Sequence, residues 1–357
     1  MIEVDGSMLE GGGQILRMSV ALSATTGTPI KVFNIRAKRK DPGLKAQHMT
    51  AIKAVAALVD AEVTGLTLGS RELTFKPKDI KGGSFRFDIG TAGSTTLVLQ
   101  SLLPAAAFAP SRVNVEIIGG TNNPLAPPVD YVLHVLRPTV AKMGYNFDIN
   151  ILRRGFYPKG GGIVRVSITP VAKLKSIRLE DIGKVKVIRG ISYSSRLPDH
   201  IAKRMADSAS KVLKKAGFDT EIDLEILQPG HPKCALNPGC GIVLWAETSE
   251  GAILGSDSLG EVGKPAEKVG EEAATKLLEE IEVGATVDRH MADQLIVYMT
   301  LAEGRSLIKV RELTMHALTC IELSKKLIPG VSFEIEEGKP NVVICKGIGL
   351  RNKFLTA

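Results

Sequence analysis

Apolar residues recur along this chain at two spacings that take turns. In residues 31–36 they alternate with polar ones as in a strand, and in residues 44–60 Leu44, Ile52, Val55 and Val59 form the stripe of a helix. Residues 62–68 and 72–76 alternate again, joined by Gly69-Ser70, which predicts two further strands. The same order returns from residue 114, with a strand over 114–118, a Gly-Gly-Thr-Asn-Asn-Pro loop and a helix carrying Val129, Val132, Leu136, Val140 and Met143. Two strands ending at Ile168 complete that copy. A third copy places a strand at 307–311, a helix at 316–327 and strands at 332–336 and 341–345. Ahead of each copy stands another apolar helix, over 13–25, 94–108 and 291–302. Units of this kind bury their helices against sheets, so the chain is predicted to be α/β (α+β), with a large domain of three βαβαββ repeats.

Residues 184–282 break this rhythm. They read as a strand (186–193), a helix (199–216), strands at 221–227, 241–247 and 251–256, and an acidic amphipathic helix at 265–280. A smaller α/β domain inserted between the second and third repeats is expected, leaving 1–183 and 283–357 as the repeated domain. Such an insertion costs little closure entropy.

A length of 357 residues accommodates two or three domains. No uninterrupted apolar run approaches the roughly 18 residues of a membrane span, and residues 97–109 are broken by Gln100 and Pro104. Met1-Ile2-Glu3-Val4-Asp5 has neither the basic nor the apolar region of a secretory signal. The four cysteines, Cys234, Cys240, Cys320 and Cys345, include no CxxC pair, which argues against both a disulfide framework and a zinc site. A cytoplasmic, membrane-free protein is the expectation.

The net charge of +8 is unevenly spread. Residues 31–53 hold seven Lys or Arg (Lys31, Arg36, Lys38, Arg39, Lys40, Lys45, Lys53) against the single Asp41, whereas residues 258–282 hold seven Glu and three Lys. A pooled basic segment attracts phosphates. Glycines open two of the helices, in Glu10-Gly-Gly-Gly-Gln14 and in Gly90-Thr-Ala-Gly-Ser-Thr95, and a helix N-terminus offers unpaired N–H groups to an anion. Gly160-Gly161-Gly162 falls between strands and reads as a tight turn or bulge. Walker A, HExxH and GxSxG patterns are absent. Among six histidines, His134 reads as structural. His290 and His316 stand at helix beginnings, where the positive helix end keeps an imidazole neutral and nucleophilic. Asp288, Asp293 and Gln294 surround His290 and suit a metal or a nucleotide. These residues alone do not choose between the two histidines.

Several longer stretches then take on a common meaning. Glu10-Gly-Gly-Gly-Gln-Ile-Leu-Arg17, Ile35-Arg-Ala-Lys-Arg39, Pro42-Gly-Leu-Lys-Ala-Gln-His48, Arg154-Gly-Phe-Tyr-Pro-Lys-Gly-Gly-Gly162, Leu259-Gly-Glu-Val-Gly-Lys-Pro-Ala-Glu267, Ala292-Asp-Gln-Leu295 and His316-Ala-Leu-Thr319 resemble the RNA 3'-terminal phosphate cyclase family from residue 5 to about residue 345. The resemblance implies a repeated βαβαββ domain with an inserted thioredoxin-like domain. It also implies an ATP-dependent enzyme, using a divalent metal (Mg or Mn), that converts an RNA 3'-terminal phosphate to a 2',3'-cyclic phosphodiester. By motif position the nucleophilic histidine falls on His316, and the nucleotide pocket on Glu10, Gln100, Pro127, His290, Asp293 and Gln294. The RNA 3'-phosphate pocket falls on Arg17, Arg36, Arg39 and Gln47, and no metal ligand is assigned. His290 stands where many relatives carry Tyr. A non-catalytic relative acting in ribosomal RNA processing is the rival reading; such relatives lack the histidine that this chain has at position 316.

Overall fold

A computed structural model describes residues 1–355. The first repeat runs β1 (Ile2–Asp5), α1 (Gly13–Thr26), β2 (Ile30–Phe33), α2 (Ala46–Val59), β3 (Glu62–Thr64) and β4 (Leu73–Lys76). Its strands lie in the order β1-β2-β4-β3, with β1 parallel to β2 and the other pairs antiparallel. The second repeat has β5 (Gly83–Asp88), α3 (Thr95–Ala106) and β6 (Val113–Gly119). Next come α4 (Val129–Tyr131), a π-helical turn (Val132–Leu136) and α5 (Arg137–Ala141), then β7 (Asn146–Arg153) and β8 (Gly162–Thr169). Its order, β5-β6-β8-β7, is the same.

The interrupting stretch follows, with β9 (Val185–Ser195), α6 (His200–Lys215), β10 (Thr220–Leu227), β11 (Gly239–Thr248), β12 (Ile253–Leu259) and α7 (Ala266–Glu282). Its sheet runs β10-β9-β11-β12. The last repeat comprises α8 (Arg289–Leu301), β13 (Glu303–Val310), α9 (Met315–Leu327), β14 (Ser332–Glu336) and β15 (Asn341–Ile348), in the order β13-β15-β14. Where the other repeats begin with a strand, this one has a single parallel bridge, Val287 to Val310.

Local departures from the sequence pattern have local causes. The strand expected to reach Arg36 stops at Phe33, because Asn34 and Arg36 adopt left-handed φ values of 54° and 55°. The Arg36 guanidinium closes that turn by donating to the carbonyls of Asp41 (2.7 Å) and Gly43 (2.8 Å). The strand expected over 62–68 ends at Thr64, before Gly65 at φ 78°. Within the helix that follows Pro128, Pro138 has no N–H to continue the ladder. The turn widens to a π bond from Arg137 N–H to the Val132 carbonyl, and Arg137 Nε donates to the Leu133 carbonyl at 3.2 Å.

One apolar core joins the three repeats, from Val4 to Cys345. Within it α1 packs on α2, α3 and α9, and α8 packs on α9 and α3. A second cluster, from Ile188 to Ala285, lies between α6, α7 and their sheet. The two are tied at Arg154, whose side chain is wholly buried. It pairs bidentately with Asp130 (2.7 and 2.9 Å), reaches Glu225 on β10, and lies over the Tyr193 ring at 4.2 Å. Burial opposes the guanidinium charge, but Asp130 and Glu225 together outweigh it and hold the pKa above the ordinary value. Arg154→Met strands the Asp130 carboxylate in the interior. The expected loss is about 3–5 kcal/mol of stability, read as an earlier denaturant midpoint. A midpoint unchanged from wild type would show that loss of Arg154 does not leave the Asp130 carboxylate unpaired in the interior.

Candidate functional site

The N-terminal ends of α1, α8 and α9 come together, each opened differently by the local sequence. Gly12 and Gly13 start α1 without a side-chain cap. Asp288 caps α8, its Oδ1 accepting from the N–H groups of His290 (2.9 Å) and Met291 (3.1 Å). Thr314 caps α9 by accepting from Ala317 N–H at 3.1 Å. The buried Gln14 amide laces the three together. Its Nε2 donates to Asp293 Oδ2 (3.0 Å) and Cys320 Sγ (3.0 Å), and lies 3.4 Å from the His316 carbonyl oxygen.

Around this junction the sequence-derived residues take their places. His316 lies in the exposed first turn of α9. Partial burial of its ring, then the charges of Arg17, Arg39 and the neighbouring His290, push its pKa below the ordinary histidine value. Arg17 Nε donates to Gln100 Oε1 at 3.2 Å, and burial draws the guanidinium down to about 10, still charged at neutral pH. Glu10 accepts from Gly12 N–H at 2.6 Å and pairs with Arg39. The two expected pockets are therefore contiguous, joined by Arg17–Gln100 and Arg39–Glu10. Gln47 Oε1 accepts from Ser94 N–H at 3.3 Å, at the start of α3. On the same turn the Pro127 carbonyl accepts from Thr96 Oγ1 at 2.8 Å.

Two expected residues also bond within their own segments. Arg36 spends its Nη1 on its own loop, and Gln294 Nε2 donates to the His290 carbonyl one turn back, at 3.0 Å. Asp288, considered as a metal or nucleotide ligand, is saturated instead. Besides its two capping bonds it accepts from Gly255 N–H (2.7 Å) and from Tyr131 OH (2.7 Å). Among the described residues no group of three or more His, Cys, Asp or Glu is arranged to hold a metal ion.

Two residues at the junction carried no assignment from the sequence. Gln14 was visible only as the end of a glycine run. His48 follows Gln47 but gives no outward sign of its setting. It is buried, its Nδ1 accepts from Lys45 N–H at 3.3 Å, and burial followed by Arg17, Arg36 and Lys45 lowers its pKa to about 3. It is therefore a neutral ring among cations.

Burial raises the Asp293 carboxyl to about 6, against the opposing pull of His290 and Arg17. A raised acid stabilises the folded state below its unfolded pKa of about 4, and that contribution fades as pH rises through 6. Asp293→Asn, which keeps the Gln14 contact, is expected to gain about 1 kcal/mol relative to wild type between pH 4 and pH 7. Thermal midpoints of both proteins across that range measure it, and a constant difference would contradict the raised value.

Comparison with known proteins gives the family. Residues 8–335 match the family model described as RNA 3'-terminal phosphate cyclase. A curated protein of that name from Ignicoccus hospitalis is 52% identical over 351 residues, covering 98% of this chain and 99% of the relative. Another from Hyperthermus butylicus is 53% identical over 345 residues, covering 96% of each. A third, from Staphylothermus marinus, is 48% identical over 354 residues, 98% of this chain and 99% of its own. With the model spanning most of its length and these relatives matching nearly end to end, the chain belongs to the RNA 3'-terminal phosphate cyclase family.

Proposed function

We propose that this protein uses ATP to convert an RNA 3'-terminal phosphate to a 2',3'-cyclic phosphodiester, through AMP carried on His316. One observation carries the reading: an exposed, neutral imidazole stands at the N-terminal turn of α9, within the field of Arg17, Arg39 and His290. All three repeats contribute to its setting, with Gln14, Arg17 and Arg39 from the first, Gln100 through Arg17 from the second, and His290 and Asp293 from the third.

A phosphate monoester is a poor electrophile towards a hydroxyl, and adenylation provides its leaving group. The lone pair of a His316 ring nitrogen attacks the α-phosphorus of ATP, and the bond to pyrophosphate breaks. An oxygen of the RNA 3'-phosphate next displaces the imidazole and takes the AMP. The adjacent 2'-OH then attacks the RNA phosphorus, loses its proton and expels AMP; both reacting groups sit on one ribose, so orientation supplies much of the rate. Arg17 and Arg39 stabilise charge on the transferring oxygens. Glu10 would be the carboxylate offered to a divalent metal bound with the nucleotide, and such a metal would supply further charge neutralisation.

The same reading takes 1–183 and 283–357 as the catalytic body and 184–282 as an inserted domain. The separate apolar cluster from Ile188 to Ala285 supports this. Among the described residues no helix is long and apolar enough to cross a membrane.

Incubation with α-labelled ATP and Mg or Mn tests the proposal. Wild type is expected to form an acid-labile protein–AMP adduct and His316→Ala none, whereas equal labelling of the two would refute the role of His316. An adduct absent from both would favour the non-catalytic reading. Because the His316 pKa lies below the ordinary value of about 6.5, the fall in labelling on acidification should be centred below pH 6.5. A fall centred above pH 7 would overturn that electrostatic account.

A further inference from the structure

The stretch Arg154–Gly162 is held at several points, and the chemistry proposed at His316 assigns it no role. Arg154 anchors it in the interior, and its N–H donates to the Lys233 carbonyl at 3.0 Å. Phe156 is buried against Tyr193, with ring centroids 6.2 Å apart. Gly160 N–H returns to the Phe156 carbonyl at 2.8 Å, and Arg153 Nε donates to the Gly161 carbonyl at 2.7 Å. What this clamp holds out is the tip Tyr157-Pro158-Lys159. Tyr157 is 76% exposed, and Pro158 and Lys159 are exposed as well. A large aromatic ring left in water on a rigid support invites a partner with a flat face.

The tip also has a definite address. Gly160, at φ 65°, presses so closely on the turn before α3 that a Cβ there would lie 2.7 Å from Ala92 Cα. The Ala92 carbonyl accepts from Asn123, whose loop also carries the fully exposed Leu125. Two residues further on, Ser94 N–H holds Gln47, from the expected RNA-end pocket. A strand leaving that pocket towards the tip thus passes from the basic loop of residues 36–45 to an exposed ring and an exposed ammonium group. Alternating cation and aromatic surface is what unpaired nucleic acid needs, its phosphates tracking the charge and its bases stacking on rings.

We infer that the Tyr157–Lys159 tip binds the single-stranded RNA just upstream of the reacting 3' end, Tyr157 stacking on a base and Lys159 meeting a backbone phosphate. This rests on RNA being the substrate, as proposed above, and not on which residue carries AMP.

The test is anisotropy without ATP, using a labelled single-stranded RNA of about ten nucleotides with a 3'-phosphate, and a nucleoside 3'-phosphate as competitor. Tyr157→Ala is expected to weaken the oligonucleotide roughly tenfold, within the range for loss of one stacked base, and to leave the nucleoside 3'-phosphate unchanged. Tyr157→Phe should bind as wild type. Lys159→Ala should reduce the slope of log affinity against log salt by about 0.7, the loss of one phosphate contact on a single strand. The inference is overturned if Tyr157→Ala binds the oligonucleotide as wild type does, or if both ligands weaken equally. Wild type that binds neither ligand would sink the RNA-end reading itself, an outcome distinct from failure of the tip alone.

Discussion

A single side-chain amide does much to decide whether this site exists. Gln14 is buried where α1, α8 and α9 begin, and its nitrogen touches Asp293, Cys320 and the His316 carbonyl. A buried donor of this kind contributes about 1 kcal/mol when paired and costs more when its partners are lost. Its larger consequence is geometric: the phase of α9, and with it the aim of His316, is set against α1 and α8.

Electrostatics then works on what packing has placed. Helix starts and the guanidinium groups of Arg17 and Arg39 make the region positive, and the histidines answer by staying neutral. His48 does so through deep burial among cations, His316 through a milder version of the same effect. A neutral imidazole keeps its lone pair, so a field that attracts phosphate would also keep the proposed nucleophile active. The carboxylates are used sparingly. Asp288 is consumed in capping α8 and binding Gly255, while Glu10 is shared between a backbone N–H and Arg39.

The repeats were legible because helices and strands with one buried face write a period into the chain. The helices that begin at 13, 95 and 289 were visible to within two residues for the same reason, as was the basic loop. Elements with little buried surface were not. β1 buries only Val4 fully, and β5 is an edge strand whose Phe85 and Phe87 are half-covered, so neither adds much period. Arg36 looked like the end of a strand, because nothing local announces that its guanidinium will fold back on the Asp41 and Gly43 carbonyls.

The chain by itself determined the order of its elements, the break in rhythm near residue 184 and the motifs of its family, since periodicity and short-range turn chemistry act over a few residues. Which distant groups meet was decided only by tertiary structure. Glu10 with Arg39, Arg17 with Gln100, Gln14 with Asp293 and Arg154 with Glu225 are separated by 29, 83, 279 and 71 residues. Their partnerships follow from how apolar helix faces and sheets close over one another, and a pKa set by burial has no value until that closure is complete.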